Sequence, residues 1–180
     1  MEQSSVYIGL SNPKSPENVA SVLRAAGNFR VEQVLYTGVR YPRALARNPV
    51  IPRLSRKVSE GVPVTQVECL VDSAAANMNI VCVELAENAI PLPEYQHPSR
   101  ALYIFGPEDG SLSQALIDRA HAVIYVPTVG CMNLAAAVNV VLYDRLAKAG
   151  RAEAGNELIR KSRDTNNTIK VKTGHFRTFS

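Results

Sequence analysis

No stretch of the 180-residue sequence approaches the roughly 20 consecutive apolar residues that a membrane-spanning helix needs, so no membrane partner is expected. Cysteine is scarce: Cys69, Cys82 and Cys131 are odd in number and far apart, with no C-x-x-C pair and no close cysteine–histidine grouping. That pattern argues against a disulfide framework and a structural zinc site, and no metal is expected. Cys82, inside the apolar run NIVCVEL, reads as a small core residue. The G-x-S-x-G elbow of hydrolases, the P-loop lysine motif and the H-E-x-x-H metal helix are all missing. The histidines, His97, His121 and His175, are scattered without obvious carboxylate partners nearby in sequence and read as surface or tail residues. Internal repeats and low-complexity tracts are absent as well.

What is present describes an ordinary globular chain. Apolar residues make up 46% and charged residues 20%, enough for one well-buried domain. The opening MEQSSVYIGL is acidic and enters a strand almost at once, unlike a secretory leader, so a cytoplasmic location is expected. The net charge of +4 is unevenly spread. Residues 40–57 carry Arg40, Arg43, Arg47, Arg53, Arg56 and Lys57 with no acid between them, and the C-terminal stretch is also mostly basic. Two such segments suit a polyanion, nucleic acid above all; the bland reading is a pair of solubilising faces.

Short apolar runs alternate with helical patterns along residues 1–150, and a basic tail occupies 151–180. Strands are expected at 5–10, 33–38, 62–67, 79–85, 101–105 and 122–127, all nearly continuous in apolar residues and therefore covered on both faces. Helices are expected at 16–28, 54–60, 70–78, 111–120 and 132–149. The alternation predicts an α/β domain with a mainly parallel sheet and helices on both faces. Ser15, Pro16 and Glu17 form a strong helix start, and Val19, Val22, Leu23 and Ala26 its buried stripe. Arg24 lies off that stripe. The final helix is apolar on most sides, and a second subunit is a sensible cover for it.

Three segments at strand ends combine polar residues in unusual ways. NVASVLR places Asn18 and Arg24 on the first helix. YIFGPEDGSLSQ runs from a strand into a turn where a phosphate is commonly bound, yet Glu108 and Asp109 repel a phosphate and Pro107 offers no N–H. VPTVGCMNLAAA shapes a turn with Pro127 and Gly130 and opens the last helix at Asn133. Taken singly, Asn133 reads as a helix cap, Arg24 as a solvated residue, and the adjacent acids as support for the helix that follows them.

Taken together, in this order and spacing, they resemble the SpoU (TrmH-like) family of the SPOUT class of RNA methyltransferases. Asn18 to Arg24 matches N-x-G-x-x-x-R; Gly106, Pro107, Glu108 and Leu112 match G-P-E-x-x-G-L; Val126, Pro127 and Asn133 match I-P-x(n)-S-x-N. The likeness spans residues 5 to about 149, with departures: Ala20 for glycine, Gly110 one position early and followed by Ser111, and Cys131 for serine. It implies a C-terminal trefoil knot that holds S-adenosyl-L-methionine through groups around Val83, Glu84, Phe105, Gly106, Val126, Cys131, Asn133 and Leu134. It also implies a homodimer that methylates ribose 2′-hydroxyls of RNA, tRNA rather than rRNA. Arg24 would orient a phosphate and stabilise negative charge, Asn18 and Glu108 would fix Arg24 and its loop, and Asn133 would order the pocket. Arg24, Arg40, Arg43, Arg47, Arg53, Arg56 and Lys57 would meet the RNA. Two other readings compete: a knotted RNA-binding protein weakened in catalysis by Cys131, and an unrelated nucleotide-binding α/β protein.

Overall fold

A computed structural model of the chain describes residues 4–47, 61–150 and 153–171. The helix expected at 54–60, the cations Arg53, Arg56 and Lys57, and His175 all lie outside the described residues. The chain divides after Gly150 into two units.

The first unit is a seven-stranded sheet in the order β3-β2-β1-β6-β4-β7-β5. Its strands are β1 (Ser5–Leu10), β2 (Gln33–Tyr36), β3 (Val64–Gln66), β4 (Asn79–Val83), β5 (Ile90–Pro91), β6 (Arg100–Phe105) and β7 (Ala122–Tyr125). Every pairing is parallel. The helices of this unit are α1 (Pro16–Asn28), α2 (Arg40–Arg47), α3 (Gln114–Ile117) and α4 (Leu134–Lys148). Parallel strands need crossovers that cover both faces, which explains their unbroken apolar character. Alternate β6 side chains serve opposite cores. Ala101, Tyr103 and Phe105 pack with Val19, Val22 and Ala26 of α1 and with Val138, Val141 and Leu142 of α4. Leu102 and Ile104 pack with Leu70, Met78 and Leu112, against which Leu116 and Ile117 of α3 are partly buried.

The first helix forms as its sequence dictates: Ser15 caps it, its Oγ accepting from Asn18 N at 3.2 Å, with Pro16 opening the first turn. Two expectations need correction, and two elements were not anticipated. Residues 70–78 form turns, not a helix: Ala74 and Met78 donate to carbonyls three residues back, Ser73 Oγ bonds Cys69 O, and Asn77 has φ +62°. Asp72, Ser73 and Asn77 are residues whose side chains favour turns over helix. The helix expected at 111–120 is a single turn, because Ser111 and Leu112 are held in the preceding loop and Leu112 N donates to Glu84. The arginine-rich stretch starts as a helix, α2, with Pro42 early enough in it to need no N–H partner. The edge strand β5 has no periodic signal because only two of its residues pair.

The second unit contains α5 (Asn156–Ser162), a short helix with no buried residue and a Lys161–Glu157 ion pair at 2.7 Å. Among the described residues no helix is long and apolar enough to cross a membrane.

Candidate active site

The order of the sheet places the carboxyl ends of β6, β4 and β7 side by side. Ligands of parallel α/β sheets bind at such ends, outside the strands. A cavity of about 420 Å³ opens there. Its walls include Val83 and Glu84 after β4, Phe105 and Gly106 after β6, and Val126, Cys131 and Leu134 between β7 and α4. Asn133 is not among the lining residues. Asp109 and Gly130, read from sequence only as turn residues, also line it, as do Leu85, Tyr125, Thr128, Met132 and Ala137, which were not singled out from sequence. Most of them neighbour residues that were; Ala137 follows Leu134 by one helical turn, a spacing that does carry the signal.

Glu84 organises the floor. Its Oε1 accepts from Leu85 N at 3.0 Å and its Oε2 from Leu112 N at 2.8 Å. Gly106 fits closely beside it: a Cβ at that position would stand 3.3 Å from Glu84 Oε2 and 3.4 Å from Leu112 N, so Glu84 would have to give by a few tenths of an ångström.

The three polar segments converge through hydrogen bonds. Asn133 Nδ2 donates to Asn18 Oδ1 at 3.0 Å, and Asn18 Nδ2 donates to Glu108 Oε1 at 3.2 Å. Asn133 Oδ1 meanwhile caps α4, accepting from Ala135 N at 2.9 Å and Ala136 N at 3.3 Å. Glu108 accepts from Lys14 N at 2.8 Å and Ser15 N at 3.0 Å. It therefore serves the start of α1, not the helix that follows it in sequence, which corrects the simple reading of the two acids. Burial alone would raise the Glu108 carboxyl. The N–H groups of Ser15, Glu108 itself, Lys14 and the Asn18 side chain outweigh it and hold the carboxyl below its usual range.

The cations behave differently from one another. Arg24 is half-buried six residues past Asn18, roughly 9 Å along the helix axis, and outside the pocket lining. Among the described residues it has no hydrogen-bond or ion-pair partner. Arg40 grips Asp109 with both prongs, at 2.8 and 2.7 Å, and this contact holds the Asp109 carboxyl below its ordinary value. Arg43 and Arg47 are exposed on α2.

Three further titratable residues fall outside the pocket lining. Cys82 is buried in the sheet, and that burial pushes its thiol up to about 12. His97 is the correction to the surface reading: its side chain is 4% exposed, packed edge-on against Tyr95 and Tyr103. Its Nδ1 meets Tyr103 Oη at 2.6 Å and its Nε2 meets Asp144 Oδ2 at 2.9 Å. The carboxylate is 47 positions away in sequence, which is why proximity along the chain did not reveal it. His121 is exposed, with Nδ1 accepting from Ile80 N at 2.9 Å.

Fold and site together define a parallel α/β protein with a ligand pocket assembled from three crossover loops. The family model described as "SpoU rRNA Methylase family" matches residues 5–143, and the chain belongs to that family. Membership removes the unrelated nucleotide-binding reading. No curated protein matches the chain in sequence. Solved structures share its fold. A TrmH/SpoU tRNA modifying enzyme from A. aeolicus has a TM-score of 0.67 at 18% identity, covering 89% of this chain and 86% of its own. A structure described as the 2-OH methylation of C/U34 on tRNA scores 0.66 at 18% identity, covering 83% and 94%. An AdoMet-bound rRNA methyltransferase from Sinorhizobium meliloti scores 0.65 at 18% identity, with 84% of this chain matched. The chain spans only 59% of that enzyme's length.

Proposed function

We propose that this protein transfers a methyl group from S-adenosyl-L-methionine to a ribose 2′-hydroxyl of tRNA. The observation that carries the reading is the hydrogen-bonded chain Asn133–Asn18–Glu108, which joins three distant segments at the edge of a pocket lined by Glu108 and by the neighbours of Asn133. The pocket suits that cofactor. Carboxylates of Glu84 and Glu108 favour a sulfonium and an ammonium, Pro107 withholds the N–H a phosphate would want, and Gly106 leaves room where a Cβ would intrude. Val83, Glu84, Phe105, Gly106, Val126, Cys131 and Leu134 would hold the cofactor, with Asn133 ordering the loop. When bound, it supplies an electrophilic methyl group.

Arg24 acts on the RNA side. A guanidinium stays protonated, so it serves as an electrostatic clamp and not as a base: it orients a phosphate and stabilises negative charge on the acceptor oxygen. Its lack of a partner among the described residues leaves its donors for that substrate. The basic helix α2 supplies cations for the RNA, and two of the similar structures are described as acting on tRNA. A trefoil knot formed by the loops around the pocket, a homodimer and a cytoplasmic setting complete the reading, with 1–150 as the methyltransferase domain and 151–180 as a basic tail. The dimer is supported by the exposed stripe Tyr143 and Leu146 on α4, 64% and 39% exposed.

Calorimetry with S-adenosylmethionine, S-adenosylhomocysteine and NAD tests the cofactor, and nucleoside mass spectrometry of treated bulk tRNA tests the reaction. Arg24→Ala is expected to abolish transfer while cofactor affinity stays near wild type. Full activity in that variant would remove the arginine's role. The presence of Cys131 in the lining favours one second reading, an RNA-binding protein weakened in catalysis; cofactor binding without turnover on tRNA or rRNA would select it.

A further inference from the structure

Helix α2 buries none of its residues. Its inner side, Tyr41, Pro42, Ala44 and Leu45, is only half-buried, with Tyr41 packed against the main core, so a helix this short gains little from burial and relies on side-chain anchors as well. Two are present. Tyr41 meets Tyr36 edge-on, with ring centroids 5.2 Å apart at 87°. Arg40 meets Asp109 through two parallel hydrogen bonds of 2.8 and 2.7 Å. A two-pronged guanidinium–carboxylate contact fixes both distance and plane, which a lysine contact does not. Lys14 Nζ approaches the same carboxylate at 3.5 Å.

Asp109 lines the pocket and directly follows Glu108, itself bound to the start of α1. The anchor thus ends on the pocket wall. With Arg40 committed to it, the exposed Arg43 and Arg47 are the cations α2 can offer to phosphates.

We propose that Asp109 is a positioning residue that, through Arg40, sets α2 at a fixed register over the pocket, so that an RNA gripped by Arg43 and Arg47 delivers its acceptor ribose to the site. Arg40 is then an anchor and not an RNA contact. The inference rests on the methyl-transfer reading.

Charge alone predicts the opposite effect from the anchor. Removing a carboxylate makes the surface more positive and, by Coulomb attraction, tightens binding to a polyanion. Losing the anchor weakens productive binding. The experiment compares wild type, Asp109→Ala and the charge swap Arg40→Asp/Asp109→Arg, measuring kcat and KM with bulk tRNA and cofactor affinity by calorimetry. Asp109→Ala is expected to raise the tRNA KM roughly fivefold, the upper range for an exposed pair, with a smaller change in kcat and in cofactor affinity. The swap is expected to bring KM back towards wild type, because the pair reforms with its charges exchanged. An unchanged or lowered KM in Asp109→Ala overturns the anchor. So does a swap that binds cofactor normally yet fails to recover KM. A swap that has lost cofactor binding leaves the decision to Asp109→Ala. If wild type binds no cofactor or transfers no methyl group, the methyl-transfer reading falls and the inference falls with it.

Discussion

Gly106 shows how far one absent carbon reaches. A methyl group there would press on the hydrogen bond between Leu112 N and Glu84 Oε2, which spans 2.8 Å and joins two walls of the pocket. Overpacking of this kind costs about 1–3 kcal/mol. Gly106→Ala is expected to weaken S-adenosylmethionine binding about tenfold, in line with such a cost, with a modest loss in unfolding free energy. Calorimetry and urea denaturation measure the two, and unaltered cofactor affinity would count against this pocket. Cys131 makes the converse point. It stands in the lining where the family pattern carries serine, and a thiol is a weaker hydrogen-bond partner than a hydroxyl.

At the scale of the element, α4 is the helix whose start does two jobs. Asn133 caps it through Oδ1 and reaches Asn18 through Nδ2. Substitutions can separate the two roles. Asn133→Ala loses both, with a capping cost of about 1 kcal/mol. Asn133→Asp keeps an acceptor for the cap but has no donor for Asn18, and Asn18 cannot turn its amide round without facing Glu108 with an oxygen. The expected outcome is near-native stability by denaturation with a large loss of methyl transfer. Equal activity would show that the link between the segments is dispensable.

Across the whole molecule, α4 is tied to the sheet by buried polar contacts around His97. Burial, opposed by Asp144, keeps the imidazole below its ordinary value of 6.5, with Arg145 and Lys148 lowering it further. Tyr103 on β6 and Tyr95 in the preceding loop pack against it, and burial pushes the Tyr103 hydroxyl up to about 12. A histidine with a lowered folded value takes up its proton more readily when unfolded. Its contribution is therefore present above 6.5 and is lost as the pH falls towards the folded value. Glu108 and Asp144, both held below the usual carboxylate range, add a second loss at still lower pH. Denaturation midpoints are expected to fall on acidification from neutrality, and His97→Phe is expected to flatten the first limb. A variant with the wild-type profile would place the titration elsewhere.

The amino-acid order alone determined the parallel α/β architecture and the start of α1, since unbroken apolar runs and the Ser15–Pro16 cap act over a few neighbouring residues. It also exposed the three motif segments, because their residue types are odd for strand ends. Only the tertiary structure decided that Asn133, Asn18 and Glu108 touch, that Asp109 holds Arg40, and that His97 is buried against Asp144. Each of these contacts joins residues at least 47 positions apart, and such pairs meet only when strand order brings their loops together. Residues 70–78 turned on the same cause: their local pattern allows a helix, but Leu70 and Met78 are both buried in the second core, and the segment between them folds as turns.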